Sequence, residues 1–195
     1  MSSTNEMLKA LQADRSDLTQ EILNCETARD ACIMSKFYLS AQKYGFVLEE
    51  WIKNHLELGA KKDSVSGDAS VGNRSYEIKA SISDTKGGFN YVQLRPSHNI
   101  DGYIILNYSI PNDEVVWLYI PHDKMTDLIL MWGGYAHGTV RANGPITLES
   151  ILENSLEYAI RPNMHKLHTK PGKCWTDLET YRVTEDALRQ ILHKT

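Results

Sequence analysis

The chain has 195 residues, of which 42% are hydrophobic and 24% charged, with a formal net charge of −4. That length supports one substantial core, and the composition excludes an intrinsically disordered chain. The mild negative charge excludes a histone-like protein that coats nucleic acid through a uniformly basic surface, while leaving room for a site of carboxylates with a local basic cluster.

The amino-terminal stretch "MSSTNEMLKALQADRSD" lacks the basic and apolar blocks of a secretory signal, and no apolar run reaches the ~18 residues of a membrane span. The expectation is a cytoplasmic protein with no membrane association. Cys25, Cys32 and Cys174 are an odd number without an export signal, so they read as reduced, mostly buried thiols. In "LTQEILNCETARDACIMSKFYLSAQKYG", Ile22, Cys25, Ala28, Cys32 and Leu39 recur at helical spacing, capped by Ser16 or Asp17 and ending at Gly45. "FVLEEWIKNHLELG" predicts a second helix with Leu48, Ile52 and Leu56 in line and Gly59 as its stop.

From residue 63 to 121 the period changes. The runs "SVSGDASV", "SYEIKASI", "FNYVQLR", "GYIILNYSI" and "EVVWLYI" predict short strands separated by Gly, Asn, Asp and Pro turns. "PHDKMTDLILMW" and "TLESILENSLEYAI" predict helices joined by the loop "GGYAHGTVRANGP", and "VTEDALRQILHK" predicts a last one. The fold class expected is α/β, a mixed central β-sheet flanked by helices in a single domain covering 1–195. Within it, 1–44 is a helical part, 45–121 the core that carries chemistry, and 122–195 a second helical part.

In "SYEIKASI" the apolar or small Tyr76, Ile78, Ala80 and Ile82 alternate with Ser75, Glu77, Lys79 and Ser81, which puts Glu77 and Lys79 on one strand face. Asp68 falls on the polar face of the preceding run, and "VGNR" supplies turn residues for an antiparallel hairpin. The two acids and one ammonium can therefore converge. Phosphodiester hydrolysis needs a divalent ion to neutralise phosphate and activate water, and Mg²⁺ prefers a few carboxylate oxygens plus waters. The pattern alone equally describes a solvent-facing hairpin with a cross-strand acid–lysine pair. A second acid-x-Lys, Asp84-Thr85-Lys86, lies in the glycine-flanked turn "SDTKGG".

Asp68 followed by Glu77-Ile78-Lys79 on the next strand resembles the PD-(D/E)XK nucleases, and among them the type II restriction endonucleases, with Gly67 where the signature often has proline. The resemblance runs from about residue 45 to 120. It implies a restriction-endonuclease-like fold and a Mg²⁺-dependent endonuclease acting on double-stranded DNA. It implies that Asp68 and Glu77 are metal ligands and that Lys79 serves the attacking water or the transition state. It adds a glutamate from the preceding helix, Glu49 or Glu50; Glu49 is preferred because it borders the buried side marked by Ile52 and Leu56. Gln93 is a further active-site neighbour implied by the resemblance, on the face shared with Tyr91 and Arg95.

Site-specific cleavage implies a homodimer, or a heterodimer with another nuclease subunit. Arg74 and Arg95 are candidate phosphate contacts, and Tyr135, His137 and Arg141 could reach a DNA groove from their loop. His98 reads as a loop histidine, and His165, His168 and Cys174 lack the second cysteine of a zinc site. The alternatives are a structure-selective repair nuclease, and a non-catalytic module of the same fold that binds DNA or a protein.

Overall fold

The computed structural model describes residues 20–22, 24–136, 144–153 and 156–194. Its backbone contacts divide the chain into Met1–Leu48 and Glu49–Thr195. In the first unit, Thr27 Oγ1 accepts from the Asp30 backbone N–H at 3.1 Å and so starts α1, Ala28–Tyr38. Leu39 is extended, and Ser40 Oγ accepts from the Lys43 N–H at 3.3 Å at the start of α2, Ala41–His55. The expected break at Gly45 is thus corrected to Leu39–Ser40. Gly45 lies inside α2 with open space where a Cβ would be.

The expected stop at Gly59 also moves. α2 closes with the Leu58 N–H on the Lys53 carbonyl at 2.8 Å and the Glu57 N–H on the Asn54 carbonyl at 3.3 Å, while Glu57 takes φ 57°. This is a Schellman closure with glutamate in the left-handed position that glycine usually fills. Gly59 instead opens β1, Gly59–Ala60.

The second unit is an α/β fold with a mixed sheet at its centre. β2 (Ala69–Val71), β3 (Arg74–Ile82), β5 (Gly102–Ser109) and β6 (Glu114–Pro121) match the predicted β-prone runs, although only the last three residues of "SVSGDASV" pair. The strand order is β1-β2-β3-β5-β6-β9, with β9 at Arg182–Val183. Among the described strands of this sheet only β3 and β5 run parallel, with Glu77 beside Tyr103 and Lys79 beside Ile105 in register. A smaller sheet, β4-β8-β7, joins Tyr91–Leu94, Tyr158–Ile160 and Gly134–Tyr135.

Every residue of β5 is buried because helices cover the central sheet on both faces. Tyr103 and Ile105 pack with the small sheet, with Met125 and Ile129 of α3 (His122–Trp132), and with Trp175 and Leu178 of α5 (Lys170–Glu179). Ile104 and Leu106 pack on the other face with Ile52 and Leu56 of α2, Tyr76 and Ile78 of β3, and Leu188 and Leu192 of α6 (Glu185–His193). Each fully buried Ile or Leu here contributes about 1.5–3 kcal/mol.

The carboxy-terminal part is not helical throughout, as residues 122–195 were expected to be. The run "TLESILENSLEYAI" divides into α4, Leu148–Glu153, and β8, because Tyr158 and Ile160 complete the core under the small sheet. α5 follows from Thr169, whose Oγ1 accepts from the Gly172 N–H, with Pro171 in the first turn. The cysteines are free, and burial pushes the Cys32 and Cys174 thiols up to about 11 and about 12, leaving both neutral. Among the described residues no helix is long and apolar enough to cross a membrane.

Candidate active site

Position 67 turns the chain into the site. Gly67 has φ +69°, and a Cβ there would lie 2.5 Å from the Tyr76 carbonyl oxygen. Proline, held near φ −65°, has no place in this backbone. The turn carries Asp68 alongside β3: its N–H donates to the Tyr76 carbonyl at 2.8 Å, and its Oδ2 accepts from the Ile78 N–H at 2.9 Å. The side chain thus takes over the pairing where β2 has turned away. An unmet buried N–H would cost about 1–3 kcal/mol.

Glu77 and Lys79 share a face, as their alternation predicts, but that face is covered rather than solvated. Glu77 is 1% exposed, and its Oε1 accepts from Lys79 Nζ at 2.6 Å. Tyr103 lies beside Glu77 in the parallel register, and burial pushes its hydroxyl far above the ordinary range, with the negative charges of Glu77 and Asp68 adding to the effect. Arg95 feels the same two carboxylates. Burial works against its charge, but Glu157, 2.6 Å from Nη2, outweighs this and holds the guanidinium above its usual value.

Glu49 stands on the last two turns of α2, and Lys53 Nζ donates to it at 2.7 Å. Burial raises its carboxyl above the usual value; the Lys53 hydrogen bond opposes this, Asp68 raises it further, and Lys79 lowers it. Glu49 therefore belongs to the same electrostatic neighbourhood as Asp68 and Lys79. Glu50 is more exposed and shares Lys53 at 2.9 Å.

Among the described residues no three His, Cys, Asp or Glu side chains are gathered as a ready-made metal cluster. A Mg²⁺ ion is commonly held by one or two carboxylates, with waters and phosphate oxygens completing its shell. Asp68 and Glu77 meet that donor count, and Glu77 Oε2 is buried without a hydrogen-bond partner. The donor set fits a hard divalent ion of this kind.

Other sequence candidates lie elsewhere. Gln93 was expected to share a strand face with Tyr91, but a register irregularity in β4 gives it φ 55° and an exposed side chain, whereas Tyr91 is buried. β4 also belongs to the small sheet and does not pair with β3. Arg74 donates to the carbonyls of Ile191, Leu192 and Lys194 at 2.9, 2.5 and 3.0 Å, so its guanidinium caps the end of α6. Tyr135 is buried against Tyr158 in the small sheet's core. His137 and Arg141 lie outside the described residues.

Two groups join the site that sequence patterning did not assign to it. His98 reaches Glu77 from the loop after β4, and Tyr103 enters from β5. Tyr103 precedes the apolar Ile104, Ile105 and Leu106 in the strand run "GYIILNYSI", and nothing in that pattern singled it out from Tyr108. Comparison of the chain with protein-family models and with curated proteins found no match.

Proposed function

We propose that this chain is a Mg²⁺-dependent endonuclease of the PD-(D/E)XK type, with a restriction-endonuclease-like fold, that hydrolyses phosphodiester bonds in double-stranded DNA. The observation that carries this reading is the meeting of Asp68, Glu77 and Lys79 along one segment of β3, one acid from the turn before β2 and an acid and an ammonium from β3 itself. Asp68 and Glu77 would hold the ion. Bound there, Mg²⁺ supplies neutralisation of phosphate charge and a water of lowered pKa. Lys79 presents a fixed positive charge beside Glu77 and stabilises negative charge developing on the phosphate oxygens. Glu49, with its carboxyl pushed up by burial, is the third acid of the neighbourhood. Arg95 offers a second cation for backbone phosphate.

Cleavage of both strands at a specific site fits a homodimer, or pairing with another nuclease subunit, each contributing one such site. One observation favours a non-catalytic module that only binds DNA or a protein: the Asp68 carboxylate and the Glu77–Lys79 pair both have structural duties inside the fold. Incubation of supercoiled plasmid with purified protein and Mg²⁺, against a chelator control, separates the readings. Discrete fragments with a common end sequence support site-specific cutting, and a nicked circle supports single-strand cutting. DNA binding without cleavage overturns the nuclease reading, and cleavage that persists in Lys79→Met overturns this assignment of its active site.

A further inference from the structure

Three polar atoms at the site are buried and have no hydrogen-bond partner among the described residues: Glu77 Oε2, His98 Nδ1 and Tyr103 Oη. Glu77 is 1% exposed and Tyr103 0%, so neither atom is satisfied by the surface. Leaving such groups unmet is costly, and more so for a charge. His98 Nδ1 and Glu77 Oε2 stand 3.6 Å apart, too far for a hydrogen bond. That separation has a different chemical meaning. Two donors each about 2.1 Å from one ion, at a tetrahedral angle, lie roughly 3.4 Å apart.

We propose that His98 Nδ1 and Glu77 Oε2 together ligate a divalent transition-metal ion, so that the same site also takes an ion such as Co²⁺ through a nitrogen donor that Mg²⁺ does not use. An imidazole nitrogen suits borderline metals, whereas Mg²⁺ takes oxygen donors almost exclusively. With two protein donors, the remaining positions go to water and to phosphate oxygens, consistent with the absence of a three-residue cluster among the described residues. Tyr103, the register neighbour of Glu77, carries a hydroxyl able to donate to a metal-bound water. Lys79 keeps Glu77 Oε1, which turns Oε2 toward His98.

The inference rests on the nuclease reading and deepens it by adding a second class of ion that the same site accepts, and its test does not depend on cleavage. Co²⁺ is titrated into the full chain and followed by its visible absorption, with Mg²⁺ as competitor, for the wild type, His98→Ala and His98→Gln. The wild type is expected to bind Co²⁺ with a nitrogen-ligand spectrum, and His98→Ala to weaken it at least about tenfold. Mg²⁺ affinity should change far less in the same variant. His98→Gln, which keeps an oxygen donor, checks that any loss does not come from unfolding; its far-ultraviolet circular dichroism should match the wild type. Wild-type protein that binds no Co²⁺, or His98 variants that bind it as tightly, overturn the proposal and point to water between the two groups. Mg²⁺-driven cleavage without a His98-dependent Co²⁺ signal ends this inference alone. A His98-dependent signal without cleavage by any divalent ion ends the nuclease reading alone.

Discussion

Asp68 Oδ2 accepts the backbone N–H of Ile78 at 2.9 Å, so one carboxylate both closes the open edge of β3 and stands at the proposed metal site. The two duties separate by substitution. Asp68→Asn keeps an acceptor oxygen and loses the charge; its stability should stay within about 1 kcal/mol of wild type, while Mg²⁺-dependent cleavage falls at least ~100-fold. Asp68→Ala should lose both, with about 1–3 kcal/mol of stability lost in urea unfolding. Equal stability of the Asn and Ala variants would count against the hydrogen bond's role.

The Glu77–Lys79 pair predicts a rescue. Lys79→Met leaves a carboxylate that is 1% exposed without its ammonium, and should cost about 3 kcal/mol, near the low end for a broken buried pair because Lys79 keeps some exposure. Adding Glu77→Gln removes the stranded charge and should restore most of that stability. Both proteins should be inactive on plasmid, so stability and cleavage part company in the double variant. Chemical denaturation of the four proteins of this cycle measures the coupling directly.

Glu49 predicts a pH dependence with a definite sign. Its folded-state pKa lies above the ordinary 4.5, chiefly through burial. The folded protein therefore binds the proton more tightly than the unfolded chain. Its favourable contribution is complete below pH 4.5 and is lost as pH rises through the folded value. Glu49→Gln should flatten the stability profile just above pH 4.5 and raise neutral-pH stability relative to wild type. Thermal unfolding across a pH series reads both.

Two glycines predict opposite outcomes for the same substitution. Gly67→Ala meets the Tyr76 carbonyl at 2.5 Å from a φ of +69°, and should destabilise by at least about 1–3 kcal/mol while displacing Asp68. Gly45→Ala sits in a helix with open space around the new Cβ, and should stabilise by about 0.5–1 kcal/mol. Thermal shifts of opposite sign are the expected result.

Arg74 predicts a structural loss. Arg74→Ala frees the carbonyls of Ile191, Leu192 and Lys194 and should cost about 1–3 kcal/mol, seen as faster amide exchange in α6. Its effect on DNA affinity at fixed salt should be smaller than that of Arg95→Ala, since Arg95 faces the carboxylate cluster.

Local chemistry was legible in the residues. Strand alternation put Glu77 and Lys79 on one side of β3, and the Gly-Asn turn brought Asp68 back alongside that strand. Helical spacing found α3 and α6, which carry their own periodicity. Boundaries were less legible: Ser40 and Glu57 ended up marking helix limits that Gly45 and Gly59 were expected to mark, because capping bonds outweigh the ~1 kcal/mol preference of a single glycine. Gln93 failed for a related reason, since one positive φ in β4 reverses the side on which every following residue falls.

Sequence alone determined an α/β chain with a hairpin of two acids and a lysine, because side-chain period and turn residues act over a few positions. Tertiary structure decided that Glu77 is buried, that Tyr103 is its neighbour, and that His98 folds back to within 3.6 Å of it. Those facts come from a parallel pairing between strands more than twenty residues apart, and from packing on both faces of the sheet. No local pattern encodes either, because the free energy that selects them resides in contacts formed only when the whole core closes.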